Sequence, residues 1–416
     1  MVVKAAGMSL AFASTRLAPD EFSRRRTAAR RAGSPAWLWP EVPVDKWSEA
    51  MAQVAKAAAD LLAGRKAEIA QCDPMALSLA CYTSGVGPLL GWWTEEGKLG
   101  AEPELSELLG IHLKQSRARS ERTVPRSLEI VSALVECGVP VVVLKGGHTG
   151  LSYFPDPATR PAADLDLLVP RDSAAQAEVA LARLGLECAG RRPRESSWIS
   201  PTAKREPQSL WLVHEDDPWP IDLHSSLDFA AGPGAPLARF DTAEPIETSE
   251  PWRLDDSAGV LSQPLLLLHL AVHASGGLHS LTLLRMIELV LVIRRDAANG
   301  RLSFDEFLHF GALTKALGAA FPALLMAERL APGTIPLNVL GICAELAPPR
   351  ARALVGKLDP ASAHRVDRAS ISEHFMWVAG VSGWARRLAA DLAPGSDFWP
   401  IYQARAYRVL RKRVSR

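Results

Sequence analysis

The chain has 416 residues, 48% hydrophobic and 22% charged, and this composition predicts a globular protein of two or three domains with a large apolar core. Its 47 lysines and arginines nearly balance its 46 aspartates and glutamates, which argues against long nucleic acid as a partner. Five scattered cysteines without a C-x-x-C pair favour a reducing cytoplasm, and no apolar run approaches the roughly 20 residues of a membrane span.

The N-terminal third divides into two regions. Residues 1–45 combine a cluster of arginines with several prolines and lack a sustained hydrophobic period, so we predict a poorly ordered leader. Residues 46–137 carry apolar residues at helical spacing, as in the stretch DKWSEAMAQVAKAAADLLAG. This spacing predicts an N-terminal helical region.

The pattern changes in residues 138–255, which we predict to be the catalytic core. Four short apolar runs predict strands: VPVVVLKGG, DLDLLV, SLWLVHE and WPIDLHSSL. The stretch SAAQAEVALARLGL between them predicts a helix. Residues 256–416 return to helical patterns, in 263–277, 281–300 and 403–416, and predict a C-terminal helical domain. The fold class is therefore α+β, with a small mixed β-sheet flanked by helical regions at both ends.

The central apolar runs contain three acidic residues. Asp164 and Asp166 in DLDLLV are one residue apart, so on a strand they project from the same face, about 7 Å apart. An edge strand with one solvated face would also explain this pair. Asp222 in PIDLHSSL adds a third acid, with His224 on the same face. Three carboxylates on neighbouring strands can hold two Mg²⁺ ions about 4 Å apart, and carboxylates alone do not distinguish Mg²⁺ from Mn²⁺.

The end of the first predicted strand offers groups for binding phosphate. Lys145, Gly146 and Gly147 end an apolar run and lead into a helix, whose first amides can approach a nucleotide phosphate. Lys145 and Arg160, which lies in the loop just before Asp164, are the cations best placed to meet phosphate charge. The alternatives are a tight turn for the glycines and solvated loop positions for the two cations.

The order of these motifs resembles the uncharacterised nucleotidyltransferase family, a branch of the polymerase-beta-like nucleotidyltransferase superfamily. The resemblance covers roughly residues 75–300. The positions that carry it in the predicted core are Leu144, Lys145, Gly146, Tyr153, Arg160, Asp164, Asp166, Asp222 and His224. In the following helical region they are His269, His273, Arg285 and Glu288.

The resemblance implies roles for these residues. Asp164, Asp166 and Asp222 would bind the metal ions and act as the catalytic carboxylates, while Gly146 and Gly147 would hold the phosphates. Candidates for the acceptor side of the cleft are Tyr153, His224, His269, Arg285 and Glu288. Arg285 and Glu288 are also spaced to form an i,i+3 pair on an exposed helix face.

The expected activity is metal-dependent transfer of a nucleoside monophosphate from a nucleoside triphosphate to a hydroxyl group, with release of pyrophosphate. The acceptor would be a small molecule, a peptide or a protein. Two alternatives remain open: a phosphotransferase that uses the same site, and a non-catalytic nucleotide-binding regulatory module.

Overall fold

The computed structural model describes residues 10–192, 194–230, 235, 237–240, 244–276, 281–367, 373 and 375–392. The helices before and within the sheet region are α1 (Ala11–Ser14), α2 (Glu21–Ala32), α3 (Val44–Leu62), α4 (Pro74–Ser84), α5 (Gly87–Glu95), α6 (Pro103–Glu136), α7 (Lys145–Ser152), α8 (Ala174–Arg183) and α9 (Glu244–Glu247). Those that follow are α10 (Leu265–Ala274), α11 (Leu283–Ala298), α12 (Phe304–Leu313), α13 (Leu317–Leu330), α14 (Leu337–Leu346), α15 (Pro349–Val355) and α16 (Gly380–Leu392). Among the described helices, none combines the length and the apolar character that crossing a bilayer requires.

One mixed sheet of seven strands forms the centre of the fold. The described strands are β1 (Ala67–Ile69), β2 (Leu99–Ala101), β3 (Val142–Val143), β4 (Leu165–Leu168), β5 (Glu187–Arg192), β6 (Glu195–Ile199), β7 (Ile221–His224), β8 (Phe229–Ala230), β9 (Leu237–Ala238), β10 (Glu250–Trp252) and β11 (Asp255–Val260). The large sheet has the order β10-β11-β3-β4-β7-β6-β5, with β4 parallel to β7 and antiparallel to β3. The strands β1 and β2 form a parallel pair, and β8 and β9 an antiparallel pair. The predicted α+β fold with helical flanks is confirmed.

Two apolar clusters stabilise this arrangement. One lies against the sheet and joins Leu165, Leu167 and Ile221 to Ile130 of α6 and Leu181 of α8. The other joins the N-terminal helices to the C-terminal helices, and its members include Met51, Leu77, Leu266 and Leu324. The helices that precede the sheet in sequence and the helices that follow it therefore pack into one hydrophobic core.

The described part of the predicted leader is folded, in contrast to our expectation. Within it, α2 carries most of the arginine cluster, and Arg25 donates to Glu21 and to both carboxylate oxygens of Glu41. Trp39 is buried, and its indole donates to the carbonyl of Leu210 at 2.7 Å. Ion pairing within the segment and burial of Trp39 order a sequence whose arginines, prolines and lack of a hydrophobic period suggested disorder. Residues 1–9 lie outside the described residues.

The predicted strand SLWLVHE is wrong. Leu210 and Leu212 are buried in a loop, where backbone groups bond to side chains rather than to a neighbouring strand. The carbonyl of Trp211 accepts from Ser78 at 2.9 Å, and the amide of His214 donates to Asp217 at 2.9 Å. These bonds satisfy the backbone without a sheet ladder.

The sheet also extends beyond the predicted catalytic core. The strand β11, which ends at Val260, pairs with β3, so a boundary at residue 255 falls inside the sheet. The predicted helices at 263–277 and 281–300 correspond to α10 and α11. The predicted closing helix at 403–416 lies outside the described residues.

Candidate active site

The sheet brings the three predicted aspartates together. The strands β4 and β7 run parallel in a register that places Asp166 beside Asp222, and Asp164 immediately precedes β4. Carboxylate oxygens of Asp164, Asp166 and Asp222 all lie within 4.8 Å of one another. The leucines that alternate with these acids are buried, and this fixes the face from which the acids project.

Asp166 is the most firmly held of the three acids. Its Oδ1 accepts from Lys145 Nζ at 2.9 Å and lies 2.8 Å from His224 Nε2. Burial acts to raise the pKa of Asp166, but Lys145 and His224 outweigh burial and lower that pKa well below its usual range. Lys145 has a φ of 38°, a conformation that L side chains rarely adopt, at the first residue of α7.

The negative charges of Asp164 and Asp222 are less well balanced by neighbouring groups than the charge of Asp166. Burial first, and then the neighbouring Asp166, raise the pKa of Asp164 from 3.8 to about 6. Asp222 Oδ1 is buried and has no hydrogen-bond partner among the described residues. A buried carboxylate oxygen without a partner is costly, by about 1–3 kcal/mol or more. In the described part of the chain the side chains that bond to these acids are Lys145 and His224, and both bond to Asp166. The site therefore has the oxygen ligands and the excess of negative charge that fit a divalent cation.

The predicted phosphate-binding Arg160 already has a carboxylate partner. Its Nε and Nη2 donate to the two oxygens of Glu288 at 2.9 and 3.1 Å, and the Thr149 hydroxyl donates to the same carboxylate. The pair is buried, with side-chain exposures of 11% for Arg160 and 3% for Glu288. Glu288 therefore fixes the position of Arg160 at the cleft and does not form the exposed i,i+3 pair with Arg285.

The two glycines of α7 allow close packing around Arg160 and the sheet. A Cβ at Gly146 would lie 2.2 Å from Arg160 Nη1, so the absence of a side chain makes room for the guanidinium. A Cβ at Gly147 would lie 2.9 Å from Val143 Cγ1, where α7 contacts the sheet. Both glycines line a cavity together with Arg160 and Asp164. Phosphate binding at these glycines stays a prediction.

One structural residue of the site was missed from the sequence. Arg119 of α6 is 3% exposed and donates to the carbonyls of Asp217 and Pro218 at 2.7 and 2.9 Å, and more distantly to the carbonyl of Ala162. It thereby joins the loop before Asp164 to the loop before β7. In sequence, Arg119 lies among several other arginines of α6, and no local signal marks it as the buried one.

The residues predicted for the acceptor side of the cleft do not all lie in one place. His224 contacts Asp166, while His269 is buried and its Nε2 has no partner within the described part of the chain. Burial first, and then the nearby charge of Lys145, lower the pKa of His269 to about 3. Arg285 donates to the carbonyl of His273 at 3.4 Å. Tyr153 lies just beyond the other end of α7, where its hydroxyl donates to Asp296 at 2.8 Å.

Residues 76–332, more than half of the chain, match the model of a family described as uncharacterised nucleotidyltransferase. No curated protein and no solved structure matches the chain. The match includes the three aspartates, Lys145 and the Arg160–Glu288 pair. The chain belongs to this nucleotidyltransferase family.

Proposed function

We propose that this family member is a metal-dependent nucleotidyltransferase, which moves a nucleoside monophosphate from a nucleoside triphosphate to a hydroxyl-bearing acceptor and releases pyrophosphate. The observation that carries the proposal is the cluster of Asp164, Asp166 and Asp222, with carboxylate oxygens within 4.8 Å of one another. Catalysis in such a site rests on positioning and charge neutralisation rather than on a covalent enzyme intermediate.

Asp164, Asp166 and Asp222 are the residues that would hold Mg²⁺ or Mn²⁺, as two ions. Asp222 Oδ1, which has no hydrogen-bond partner within the described ranges, supports this assignment because a cation would satisfy it. Bound metal supplies neutralisation of the triphosphate charge and activation of the attacking hydroxyl. Lys145 and His224 hold Asp166 ionised and oriented before any ligand binds.

A phosphate group of the nucleotide would bind in the small cavity, of about 40 Å³, that Gly146, Gly147, Arg160 and Asp164 line. Arg160 Nη1 lies over Gly146, while the other two guanidinium nitrogens bond to Glu288. In this arrangement Nη1 is the donor that faces a phosphate oxygen. Lys145 adds a second positive charge at the start of α7.

The acceptor hydroxyl forms a bond to the α-phosphorus, and the bond from that phosphorus to the departing pyrophosphate breaks. The hydroxyl proton passes to solvent water, because Asp222 Oδ1 is assigned to the metal ion. His224, His269 and Arg285 border the acceptor. The near-balance of charge over the whole chain, +1, supports a small molecule, a peptide or a protein rather than long nucleic acid. The five free cysteines are compatible with a cytoplasmic location, which stays a prediction.

The test is incubation of the purified protein with each nucleoside triphosphate, Mg²⁺ and cell extract, using label in the α- or the γ-phosphate. We expect transfer of α-label with pyrophosphate release, and the mass shift of the product then identifies the acceptor. Transfer of γ-label alone would instead identify a phosphotransferase.

The control is the double variant Asp164→Asn/Asp166→Asn, which keeps side-chain size while removing two charges. Its transfer activity should be lost. If the wild-type protein binds a triphosphate without consuming it, the regulatory-module alternative replaces the catalytic one. Equal transfer by wild type and variant would show that a contaminating enzyme carries the activity.

A further inference from the structure

A second cavity of about 280 Å³ lies at the C-terminal end of α7, away from the aspartates. The side chains that line it include His148, Tyr153, Glu250, Arg253, Arg295 and Arg301. Three arginines thus converge on one small volume. Neither the three aspartates nor Arg160 belongs to its lining, so this cavity is separate from the nucleotide site proposed above.

Two of the arginines are anchored by the backbone of α7. Arg253 donates to the carbonyl of Leu151, and Arg295 donates to the carbonyl of Ser152. Arg301 pairs with Glu250 and lies 3.8 Å from the buried Asp296. A guanidinium has five N–H donors, so these contacts leave donors on each arginine for a ligand. Three arginines against two acids leave the cavity with an excess of positive charge.

His148 adds a directed donor. Its side chain is 6% exposed, and its Nε2 is buried without a hydrogen-bond partner among the residues the structure describes. Its Nδ1 lies 3.3 Å from the Ser152 hydroxyl. When that hydroxyl donates to Nδ1, the neutral ring carries its proton on Nε2. His148 lines the cavity, and its unpartnered N–H group would be satisfied if a bound ligand supplied an acceptor.

We propose that this cavity, the rear anion site, binds a phosphate group, either as inorganic phosphate or as a phosphate monoester. Arg253, Arg295 and Arg301 contact its oxygens, and His148 Nε2 donates to one of them. A phosphate has enough oxygens to accept from three guanidinium groups and one imidazole together, whereas a carboxylate has two. The site lies one eight-residue helix from Lys145, so a ligand bound there contacts the same element that positions the lysine.

The first test is calorimetric titration of inorganic phosphate into the metal-free, full-length protein. Arg301→Gln should weaken phosphate binding at least about tenfold, the loss expected for one charge-assisted contact. Arg183→Gln, at an exposed position of α8, is the matched control and should bind as wild type does. Lys145→Met should also leave this binding unchanged. If Lys145→Met abolishes it, the phosphate binds at the proposed nucleotide site beside Lys145 and the proposal is overturned.

The second test uses no arginine variant, so it does not require the cavity to tolerate such a substitution. In spectra of the ¹⁵N-histidine-labelled protein, phosphate should shift the Nε2 resonance of His148, assigned by its absence in His148→Gln. The same spectra are then recorded with ribose 5-phosphate. If this compound shifts the resonance at lower concentration than inorganic phosphate does, the ligand is a phosphate monoester. An equal response to acetate would refute the preference for phosphate, and no response at millimolar phosphate would refute the site.

Discussion

The buried pair of Arg160 and Glu288 gives the sharpest quantitative prediction. The variant Glu288→Gln keeps the size of the side chain but removes the charge that faces the guanidinium at 2.9 and 3.1 Å. With side-chain exposures of 11% and 3%, water cannot replace the lost carboxylate. Removing one partner of a buried ion pair costs about 3–5 kcal/mol, and we expect a loss near 3 kcal/mol because glutamine still accepts one hydrogen bond.

Urea-induced unfolding followed by the fluorescence of the 12 tryptophans measures this loss. The matched control is Glu95→Gln, because Glu95 also forms a two-bond pair, with Arg117 at 3.0 and 2.9 Å. That pair is exposed, at 49% for Glu95 and 39% for Arg117, so the control should lose about 1 kcal/mol or less. The contrast between the two variants isolates the effect of burial.

A double variant separates charge from packing. Arg160→Met/Glu288→Leu replaces both charges with apolar side chains and should recover most of the stability that Glu288→Gln loses. It should not recover activity, because the proposed phosphate donor is gone. If Glu288→Gln loses no more than Glu95→Gln, the carboxylate does not compensate Arg160, and the assigned positioning role of Glu288 is wrong.

Three further variants test the site. Gly146→Ala should destabilise by about 1–3 kcal/mol because its Cβ would displace the Arg160 guanidinium. Gly150→Ala is the control, because its Cβ would lie 3.5 Å from Arg160 Cδ, and it should unfold in urea like wild type. If the two alanine variants lose the same free energy of unfolding, displacement of Arg160 is not the cause. Asp222→Asn should stabilise the metal-free protein and weaken Mn²⁺ binding in electron paramagnetic resonance titrations; unchanged Mn²⁺ affinity would exclude Asp222 as a ligand. Because burial and Asp166 raise the pKa of Asp164 to about 6 from 3.8, its contribution to stability is complete below the lower value and lost above the higher one. The unfolding free energy of Asp164→Asn minus that of wild type should therefore grow between about pH 4 and about pH 6 and then level off, and a constant difference would refute the raised pKa.

The acidic cluster could be predicted from the sequence because its geometry is local. Alternation along a strand fixes the common face of Asp164 and Asp166, and an apolar run around Asp222 places a third acid on a similar strand. Whether the two strands are neighbours is not a local property. The register of β4 and β7, which sets Asp166 beside Asp222, supplies that information.

Other features depend on contacts between distant parts of the chain. Arg160 and Glu288 are 128 residues apart, and nothing near Glu288 in the sequence marks its carboxylate as buried against an arginine. The loop at SLWLVHE has a strand-like composition, but its carbonyls accept from side chains more than 130 residues away. Sequence patterns indicate periodicity and burial, whereas these bonds form only when the tertiary fold brings distant segments together.

The three aspartates are not equivalent, and their differences indicate how the site works. Lys145 and His224 keep Asp166 ionised in the absence of metal, so this acid is ready to bind a cation without first losing a proton. Asp164 holds its proton more tightly, and Asp222 has a buried oxygen without a hydrogen-bond partner among the residues that the structure describes. A bound cation would relieve both of these costs. The buried strands β4 and β7 thus hold the three acids together at a cost that the proposed cation would offset.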